Sequence, residues 1–446
     1  MKIKKIIPPF LLNWYHFSLA FLGALIYGFP SKRLKVIGVT GTKGKSTVVK
    51  LAEVILEEAG YKIASFSSIK FKIDKKEWPN KLKMTMPGRL KLQRFLRQAV
   101  DAGCQYAIIE VTSEGILQHR QRFIDFDTVV FTNLSPEHIE RHGSFEKYRQ
   151  AKGELFKQCK KIHIINFDNE NAEYFLKFPS YKKYGYGVDK KLKIEGLKID
   201  WKLKIGNWKF IKATNIEPST DGVNFVVNDT SFSARLLGGF NVYNALTAIC
   251  IGLSQGVDLE TCKKALAKVK GIPGRMEIVI EKPFKVIVDY AHTPDSLEKV
   301  YQTITHQLIN SSTNQLICVL GAAGGGRDKW KRPVMGEIAA KYCDEVILTN
   351  EDPYDEDPSQ ILENIEGGIL KIKNLKLNKN LKLKIKNYRK ILDRQEAIKK
   401  ALSLAKPGDI IIITGKGSEP WMCLAHGKKM PWDDREIVRK AYNLKR

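Results

Sequence analysis

The 446-residue chain is poor in cysteine: seven are scattered along it, with no C-x-x-C pair. That speaks against a disulfide framework and against a thiolate zinc site, and makes a reducing cytosol the default compartment. Acid is the scarcer charge. Asp and Glu number 48 against 75 Lys and Arg, a formal net charge of +27. Such a surplus suits nucleic acid or an anionic surface. Much of it falls in LKIKNLKLNKNLKLKIKNYRK (residues 370–390), where aromatic residues are nearly absent and nothing offers a base-stacking platform. The alternation of Lys with Leu and Ile there predicts a strand or hairpin with one wet face. A solvated, lysine-rich surface then accounts for the charge, nucleic acid is not an expected partner, and a polyanionic substrate explains part of the surplus equally well. No internal repeat is present. Apolar residues are not lacking: at 43% the chain is globular and long enough for two or three domains with real cores.

KVIGVTGTKGKSTVVKLAEVILEEAG (residues 35–60) lacks one glycine of the strict phosphate-loop pattern, since Val39 stands five residues before Gly44 and Gly38 lies one further back. The physics of such a loop survives. Val36, Ile37 and Val39 predict a short strand, and residues 40–45 a glycine-rich turn through Gly41, Thr42, Lys43 and Gly44. From Thr47 on, Val48, Leu51, Ala52, Val54, Ile55 and Leu56 follow helical spacing up to Gly60. Gly41 and Gly44 let the backbone approach an anion, and the helix start presents N–H groups and partial positive charge. Lys45 reaches terminal phosphates, and Ser46 or Thr47 places a hydroxyl on Mg²⁺.

Charge vanishes between residues 6 and 31. FLLNWYHFSLAFLGALIYGF is apolar almost all round, with Lys2, Lys4 and Lys5 before it and Lys32 and Arg33 after it. It barely reaches the ~20 residues of a spanning helix and contains Asn13 and His16. It lacks the small-residue cleavage site of a signal peptide, which would also export an ATP site. Two readings stand side by side: a helix docked on the next domain, or a helix lying against the inner leaflet between basic flanks.

Beyond the loop, CQYAIIEVTSEG is a buried strand ending at Glu110, DTVVFTNLSPEHIERHG a second with a polar loop behind it, and KIHIINFDNEN a third. Alternating strands and helices predict a doubly wound parallel sheet with its site at the strand C-termini. Residues 191–237 switch to short alternating runs, read as antiparallel strands on the edge of the same domain. NVYNALTAICIGLSQGVDLETCKKALAKV is helical, and GIPGRME is a break. From Lys285 the pattern restarts with FKVIVDYAHTPDSL, QLICVLGAAGGGRDKWKRP, DEVILTNEDPYDEDP and GDIIIITGKGSEPW. The expected fold is thus α/β: a P-loop central domain with a mainly parallel sheet, plus a C-terminal Rossmann-like α/β domain, with chemistry in a cleft. Glu110 and His138 share strand ends beside the phosphate loop, and both residue types ligate Mg²⁺ or Mn²⁺. Arg327, Lys329, Lys331 and Arg332 gather on one loop, which suits a phosphoryl in transit.

TGTKGKST, EVTSEGILQHR, FTNLSPEHIERHGSFEKYRQAK, GGFNVYNA, GRME, VDYAHTPDSL, GGRDKWKRPVM and GKGSE, in that order, resemble the Mur ligase family. Within it they are most similar to the ligases that add a diamino acid to UDP-N-acetylmuramoyl-dipeptide. The resemblance covers roughly residue 36 to the C-terminus. It implies an acid–amino-acid ligase of peptidoglycan synthesis, in the cytoplasm, that phosphorylates an acceptor carboxylate with ATP and then lets an amine displace phosphate. It divides the chain into the apolar segment 1–33, a central ATP-binding domain 34–272 and a C-terminal domain 273–446. Lys45 resembles the lysine on the ATP phosphates. Ser46, Thr47, Glu110 and His138 resemble ligands of two Mg²⁺ sites, and Lys152 resembles a lysine that CO₂ carbamylates. Asn241 and Asn244 resemble residues near adenine. Arg275 marks the domain junction together with Glu277, and Asp289, Tyr290 and His292 the ATP face of the last domain. Thr85, Thr112, Gln118 and Arg120 resemble acceptor contacts, and Asp328 and Lys329 the pair that acts on closure, with Arg327 of the same basic loop counted among the catalytic residues. Glu351, Asp352, Tyr354, Gly415 and Glu419 fall where the incoming amino acid binds.

Three departures stand out. The family's separate uridine-binding domain has no counterpart in the ~35 residues before the loop strand, fewer than the ~50 of a small domain. The apolar segment stands in its place, so the expectation is an acceptor gripped differently: a small-molecule muropeptide, or a lipid-linked or otherwise truncated precursor near the membrane. The Asp-Asn-Pro-Arg motif that selects diaminopimelate reads Glu351-Asp352-Pro353-Tyr354. The bidentate arginine is gone, and the acids there favour a cationic side chain such as lysine or ornithine. Glu114 and Ser418 replace family histidines. Within the superfamily the alternatives are folyl-polyglutamate synthesis, cyanophycin synthesis or amidation of a cell-wall lipid. QHR and DYAHTPDSL favour the muropeptide branch. Outside it stand a basic P-loop protein acting on nucleic acid, and an inactive paralogue, against which the loop lysine and the Glu110, His138 and Lys152 set argue.

Overall fold

The computed structural model describes residues 8–82, 85–137, 142–188, 207–219, 221–307, 314–378 and 384–443. Two compact units emerge. The first runs to Lys270 apart from residues 218–222 and 236–238, which group with the second, residues 271–446.

The first unit is built on an eleven-stranded sheet. Its strands are β1 (Lys35–Thr40), β2 (Ile63–Phe66), β3 (Lys70–Ile73), β4 (Lys76–Pro79), β5 (Tyr106–Glu110), β6 (Phe126–Phe131), β7 (Ile162–Asn166), β8 (Lys182–Val188), β9 (Trp208–Pro218), β10 (Val223–Val227) and β11 (Thr230–Ala234). The order is β11-β10-β9-β8-β7-β6-β1-β5-β2-β3-β4. The pairs from β9 through β1 to β2 are parallel, and β2–β3, β3–β4 and β10–β11 are antiparallel. Central strands such as β5 are buried on both faces, which is why they read as unbroken apolar runs.

Helices α1 (Pro9–Ile26), α2 (Lys45–Glu58), α3 (Arg89–Asp101), α4 (Ser113–Leu117), α5 (Phe145–Gln158), α6 (Ala172–Leu176), α7 (Phe240–Ser254) and α8 (Leu259–Ala267) surround it. Leu92, Phe95 and Leu96 of α3 and Leu155 and Phe156 of α5 share one core with Ile109 and Phe131 of the sheet. α2 packs with α7 and α8, where a Cβ on Gly252 would meet Ile55 and Cys262 at 2.8 and 2.9 Å. The apolar segment forms α1, docked on α3 through Ala20, Gly23 and Ala24. Among the described residues no helix is long and apolar enough to cross a membrane.

The second unit holds β12 (Glu277–Ile280), β13 (Lys285–Val288), β14 (Leu316–Leu320), β15 (Glu345–Leu348), β16 (Asn387–Lys390) and β17 (Ile410–Ile413), in the order β12-β13-β17-β14-β15-β16. All pair parallel except β12 with β13. Its helices are α9 (Pro294–Gln307), α10 (Lys331–Tyr342), α11 (Pro358–Asn378), α12 (Arg394–Leu404) and α13 (Asp434–Asn443). The short strands β18 (Trp421–Cys423) and β19 (Lys429–Pro431) pair as a hairpin.

Three sequence expectations need correction. The lysine-rich stretch is no hairpin at its start: α11 runs through residue 378, because Ile361, Leu362, Ile365 and Ile369 repeat with helical spacing and are the buried face. The alternation at residues 370–378 belongs to that helix's tail, residues 379–383 lie outside the described set, and the expected strand is met only at the end of the stretch, as β16. β9 joins β8 in parallel and continues the main sheet, β10 and β11 beyond it form the expected antiparallel edge, and residues 191–206 lie outside the described set. And one cysteine pair is joined after all. Cys318 on β14 and Cys343 just before β15 are disulfide-bonded, brought together by the parallel register of those strands.

The second unit is tied together by a buried ion pair. Arg394 and Asp434 have fully buried side chains, and two guanidinium nitrogens donate to the two carboxylate oxygens at 2.9 and 2.7 Å. The same guanidinium donates to Thr414 O at 2.8 Å and Asn350 O at 3.3 Å, so it also fixes the loops after β17 and β15. Removing one partner strands a buried charge. Asp434→Ala is expected to lower unfolding free energy by about 3–5 kcal/mol in urea titrations. A loss under about 1 kcal/mol contradicts that role.

Candidate active site

β1 and β5 lie side by side with Val39 opposite Glu110, so the loop after β1 and the end of β5 share one edge. Gly44 caps α2 with φ +83°, and a Cβ there would meet Asn244 Oδ1 at 2.3 Å. Gly41 is equally constrained, because a Cβ would lie 2.0 Å from Thr132 Oγ1. The loop is braced from behind. Asn133 accepts from Lys43 N at 2.9 Å through Oδ1 and donates to Lys43 O at 3.1 Å, and Thr132 Oγ1 donates to Lys43 O at 2.7 Å.

Lys45 Nζ donates to Gly41 O and Thr42 O at 3.1 and 3.0 Å and lies 3.7 Å from Glu110 Oε1. Glu110 Oε2 accepts from Ser46 Oγ at 2.8 Å and from Ser68 N at 3.0 Å. Ser68 Oγ is itself 2.8 Å from Ser46 Oγ. Thr47 follows, buried on α2. Lys152 reaches the same loop from α5: its side chain is buried, with Nζ donating to Gly41 O at 2.9 Å and lying 4.6 Å from the Tyr148 ring centre. Burial, reinforced by the Lys45 ammonium, holds its pKa well below that of an ordinary lysine, against the pull of Glu137 and Glu110. Thr42 Oγ1 lies 3.1 Å from Tyr148 OH, and Lys43 pairs with Glu137 at 3.3 Å. Asn244 donates to Asn241 Oδ1 at 2.8 Å beside Gly44. His138 lies outside the described residues. Among the described ones, no group of three or more His, Cys, Asp or Glu could hold a metal. The oxygen set of Ser46 and Glu110 nevertheless suits a hard cation.

A second group in this unit gathers around Met86. Arg120, buried, donates to Met86 O and, at 2.7 Å, to Gln118 Oε1. Thr112 caps α4 by accepting from Gly115 N at 3.1 Å, and a Cβ on Gly115 would meet Met86 Sδ at 2.4 Å. Thr85 O accepts from Asn80 at 3.3 Å. Thr85, Thr112, Gln118 and Arg120 are thus neighbours, with Glu114 on the first turn of α4.

In the second unit, Asp289 follows β13 directly and is buried, accepting from Met276 N and Ala291 N at 2.7 Å each, and burial raises its pKa against the opposing Arg275 charge. The Arg275 guanidinium stacks 4.2 Å from the Tyr290 ring centre, and the His292 ring meets that ring edge-on. Tyr290 OH donates to Glu419 Oε1 at 2.9 Å. Lys416, fully buried, donates to both Asp352 oxygens at 2.9 Å and to Glu419 Oε2 at 2.7 Å. Burial opposes its charge, but those two carboxylates outweigh it and raise its pKa. Gly415, at φ +107°, leaves room for Glu351, whose Oε2 would lie 2.4 Å from a Cβ there. Glu351 is buried, with that oxygen lacking a hydrogen-bond partner. Burial, then Asp352, push its pKa up to about 7 against the cations Lys416, Arg394 and Lys331. Tyr354, at φ +53°, packs on Gly325, while Arg327 is close enough to influence both Tyr290 and Tyr354. Lys329 pairs with Glu356 at 3.4 Å, Arg332 bonds the same carboxylate at 2.8 Å, and Asp328 is buried.

Sequence reasoning missed Thr132, Asn133, Ser68 and Lys416. Thr132 and Asn133 had a signal in the polar loop after β6. The others become visible only once register and burial are known.

Two family models match the chain: the Mur ligase middle domain over residues 39–252, and the Mur ligase, glutamate ligase domain over residues 274–417. The UDP-N-acetylmuramoyl-L-alanyl-D-glutamate–2,6-diaminopimelate ligase of Syntrophomonas wolfei is 37% identical, covering 94% of this chain and 81% of that protein. The UDP-N-acetylmuramyl-tripeptide synthetase of a Roseiflexus species is 35% identical, covering 95% and 81%. A solved structure of a UDP-N-acetylmuramoyl-L-alanyl-D-glutamate–2,6-diaminopimelate ligase aligns over 92% of this chain and 79% of its own, with 30% identity and a TM-score of 0.58. With a glycine cradle, a lysine, a hydroxyl and a buried carboxylate at the end of a parallel sheet, and with relatives of this similarity over nearly its whole length, the chain belongs to the Mur ligase family of ATP-dependent ligases.

Proposed function

We propose that the protein joins an amino acid to the free carboxylate of a muropeptide-type dipeptide in peptidoglycan synthesis, in the cytoplasm, through an acyl phosphate. The catalytic body comprises a central domain, residues 34–272, and a C-terminal domain, residues 273–446. The observation that carries this reading is the meeting of Lys45, Ser46, Glu110 and Lys152 at one glycine loop. A carboxylate is inert to amines until its oxygen can leave, so the protein's work is positioning and charge neutralisation. Gly41 to Thr47 cradle the ATP phosphates, with Lys45 on the terminal ones, and Asn241 and Asn244 flank the base. Ser46 and Glu110, with His138, would hold Mg²⁺, which supplies charge neutralisation at the phosphates. Thr85, Thr112, Gln118 and Arg120 hold the acceptor. In the second unit, Arg275, Asp289, Tyr290 and His292 serve the nucleotide, Arg327, Asp328 and Lys329 the transferring group, and Gly415 and Glu419 the amino group of the incoming amino acid.

Lys152 is buried and its ammonium form disfavoured, and a neutral amine is what adds to CO₂. The carbamate formed by that addition, with loss of a proton, would present an anion to a second Mg²⁺. Turnover is therefore expected to fall in CO₂-depleted buffer and to recover with bicarbonate. Lys152→Met should be about 10²–10³-fold slower and unresponsive. Wild-type turnover indifferent to bicarbonate would show that Lys152 acts as an amine.

The relatives' names specify 2,6-diaminopimelate. In this chain Tyr354 takes the place of the arginine that would clamp a distal carboxylate, and Glu351 offers a buried oxygen without a partner. We read the preferred amino acid as one with a cationic side chain, lysine or ornithine. The acceptor is taken as a lipid-linked dipeptide, on the strength of the open apolar face of α1. A panel crossing nucleotide-linked and lipid-linked dipeptides with lysine, ornithine and diaminopimelate, read by product mass, tests both. Lysine or ornithine should win by about tenfold or more in kcat/KM, and its KM should fall as pH rises through about 7, where Glu351 ionises. A preference for diaminopimelate refutes the amino-acid reading. Equal use of the nucleotide-linked acceptor refutes the lipid-linked one, and no product from any pair refutes the ligase reading itself.

A further inference from the structure

α1 has one covered face and one open one. Ala20, Gly23 and Ala24 lie against α3, whereas Phe10, Trp14, Tyr15, Leu25 and Ile26 are 66, 72, 57, 55 and 58% exposed. At 3.6 residues per turn the open apolar side chains sweep roughly half the helix circumference over a length of about 27 Å. Scattered exposed apolar residues are ordinary; a continuous stripe of them marks a surface that something covers.

The charge around this stripe is mainly positive: Asp101, at the far end of α3, pairs with Arg97 and faces Arg33, and Asp125 donates its N–H to Ser31 Oγ and pairs with Lys161. Residues 1–52 contain no Asp or Glu, and Lys32, Arg33 and Lys35 follow α1 directly. Residues 81–100, which include most of the helix that α1 rests on, also contain no acid; there Lys91 and Arg94 are exposed. A self-association through this face would set like charges against each other. A cationic rim around an apolar, aromatic helix face matches the interfacial layer of an anionic bilayer, where Trp and Tyr sit at headgroup level and each nearby Lys or Arg adds attraction. A helix held along one side by the protein, with Asn13 Oδ1 2.6 Å from His119 Nε2, lies in that layer and does not cross it.

We propose that the open face of α1, rimmed by Lys32, Arg33, Lys91 and Arg94, docks the protein on the surface of an anionic lipid bilayer. The docking needs neither nucleotide nor acceptor, so it stands or falls apart from the ligase reading.

The full chain is sedimented with phosphatidylcholine vesicles and with vesicles containing about one third phosphatidylglycerol, without ATP. Binding should be strong only to the anionic vesicles and should weaken as salt rises. It should fall at least tenfold for the surface variant Trp14→Glu/Leu25→Glu, and about fivefold each for Lys91→Glu and Arg94→Glu. The variants' unfolding midpoints in urea are measured alongside, and their loss of binding should come without loss of stability. No sedimentation with anionic vesicles overturns the proposal. So does undiminished binding by the double variant, or a dimer in solution that the double variant dissociates.

Discussion

Glu110 depends on a strand register, and the first unit's site depends on Glu110. Parallel pairing sets Val39 opposite Glu110, so the acid that closes β5 comes to rest beside the turn that follows β1. There one oxygen accepts from Ser46 and from the Ser68 amide, while the other faces Lys45. A slip of one residue would turn the carboxylate to the opposite face of the sheet. The loop, its lysine and its hydroxyl would then cradle an anion with no oxygen ligand beside it for a divalent cation.

The same loop explains why Lys152 is placed as it is. Its amine ends on Gly41 O, the carbonyl that Lys45 also uses. Two ammonium groups so close would repel, and burial disfavours the charge on the deeper one. In the second unit the logic is reversed: Lys416 stays charged because Asp352 and Glu419 surround it. That ties the loop after β17 to the loop after β15, while Glu351 Oε2, beside Gly415, has no hydrogen-bond partner. Tyr354, which we propose stands where the family motif has an arginine, therefore lies beside carboxylates that are already arranged.

Local patterns were legible in the sequence where chemistry and periodicity coincide. The strand–loop–helix around Lys45 and the strand ending at Glu110 are short enough for spacing alone to fix. So is the α/β alternation of both units. Lys152 was visible through family resemblance alone, since a lone lysine in YRQAK has no local signature. What escaped depends on partners distant in sequence. The Asn133 brace on the phosphate loop spans about ninety residues. The Cys318–Cys343 bond needs the β14–β15 register. The lysine-rich stretch misled because an alternating tail was weighed ahead of the helical repeat Ile361, Ile365 and Ile369 that precedes it.

The central claim is that ATP makes an acceptor oxygen expellable. Isotope transfer tests it most directly. The acceptor dipeptide is prepared with ¹⁸O in its free carboxylate, and the phosphate released during ligation is weighed by mass spectrometry. One ¹⁸O per phosphate is the result an acyl phosphate requires. Phosphate without label, alongside product of the right mass, would contradict it.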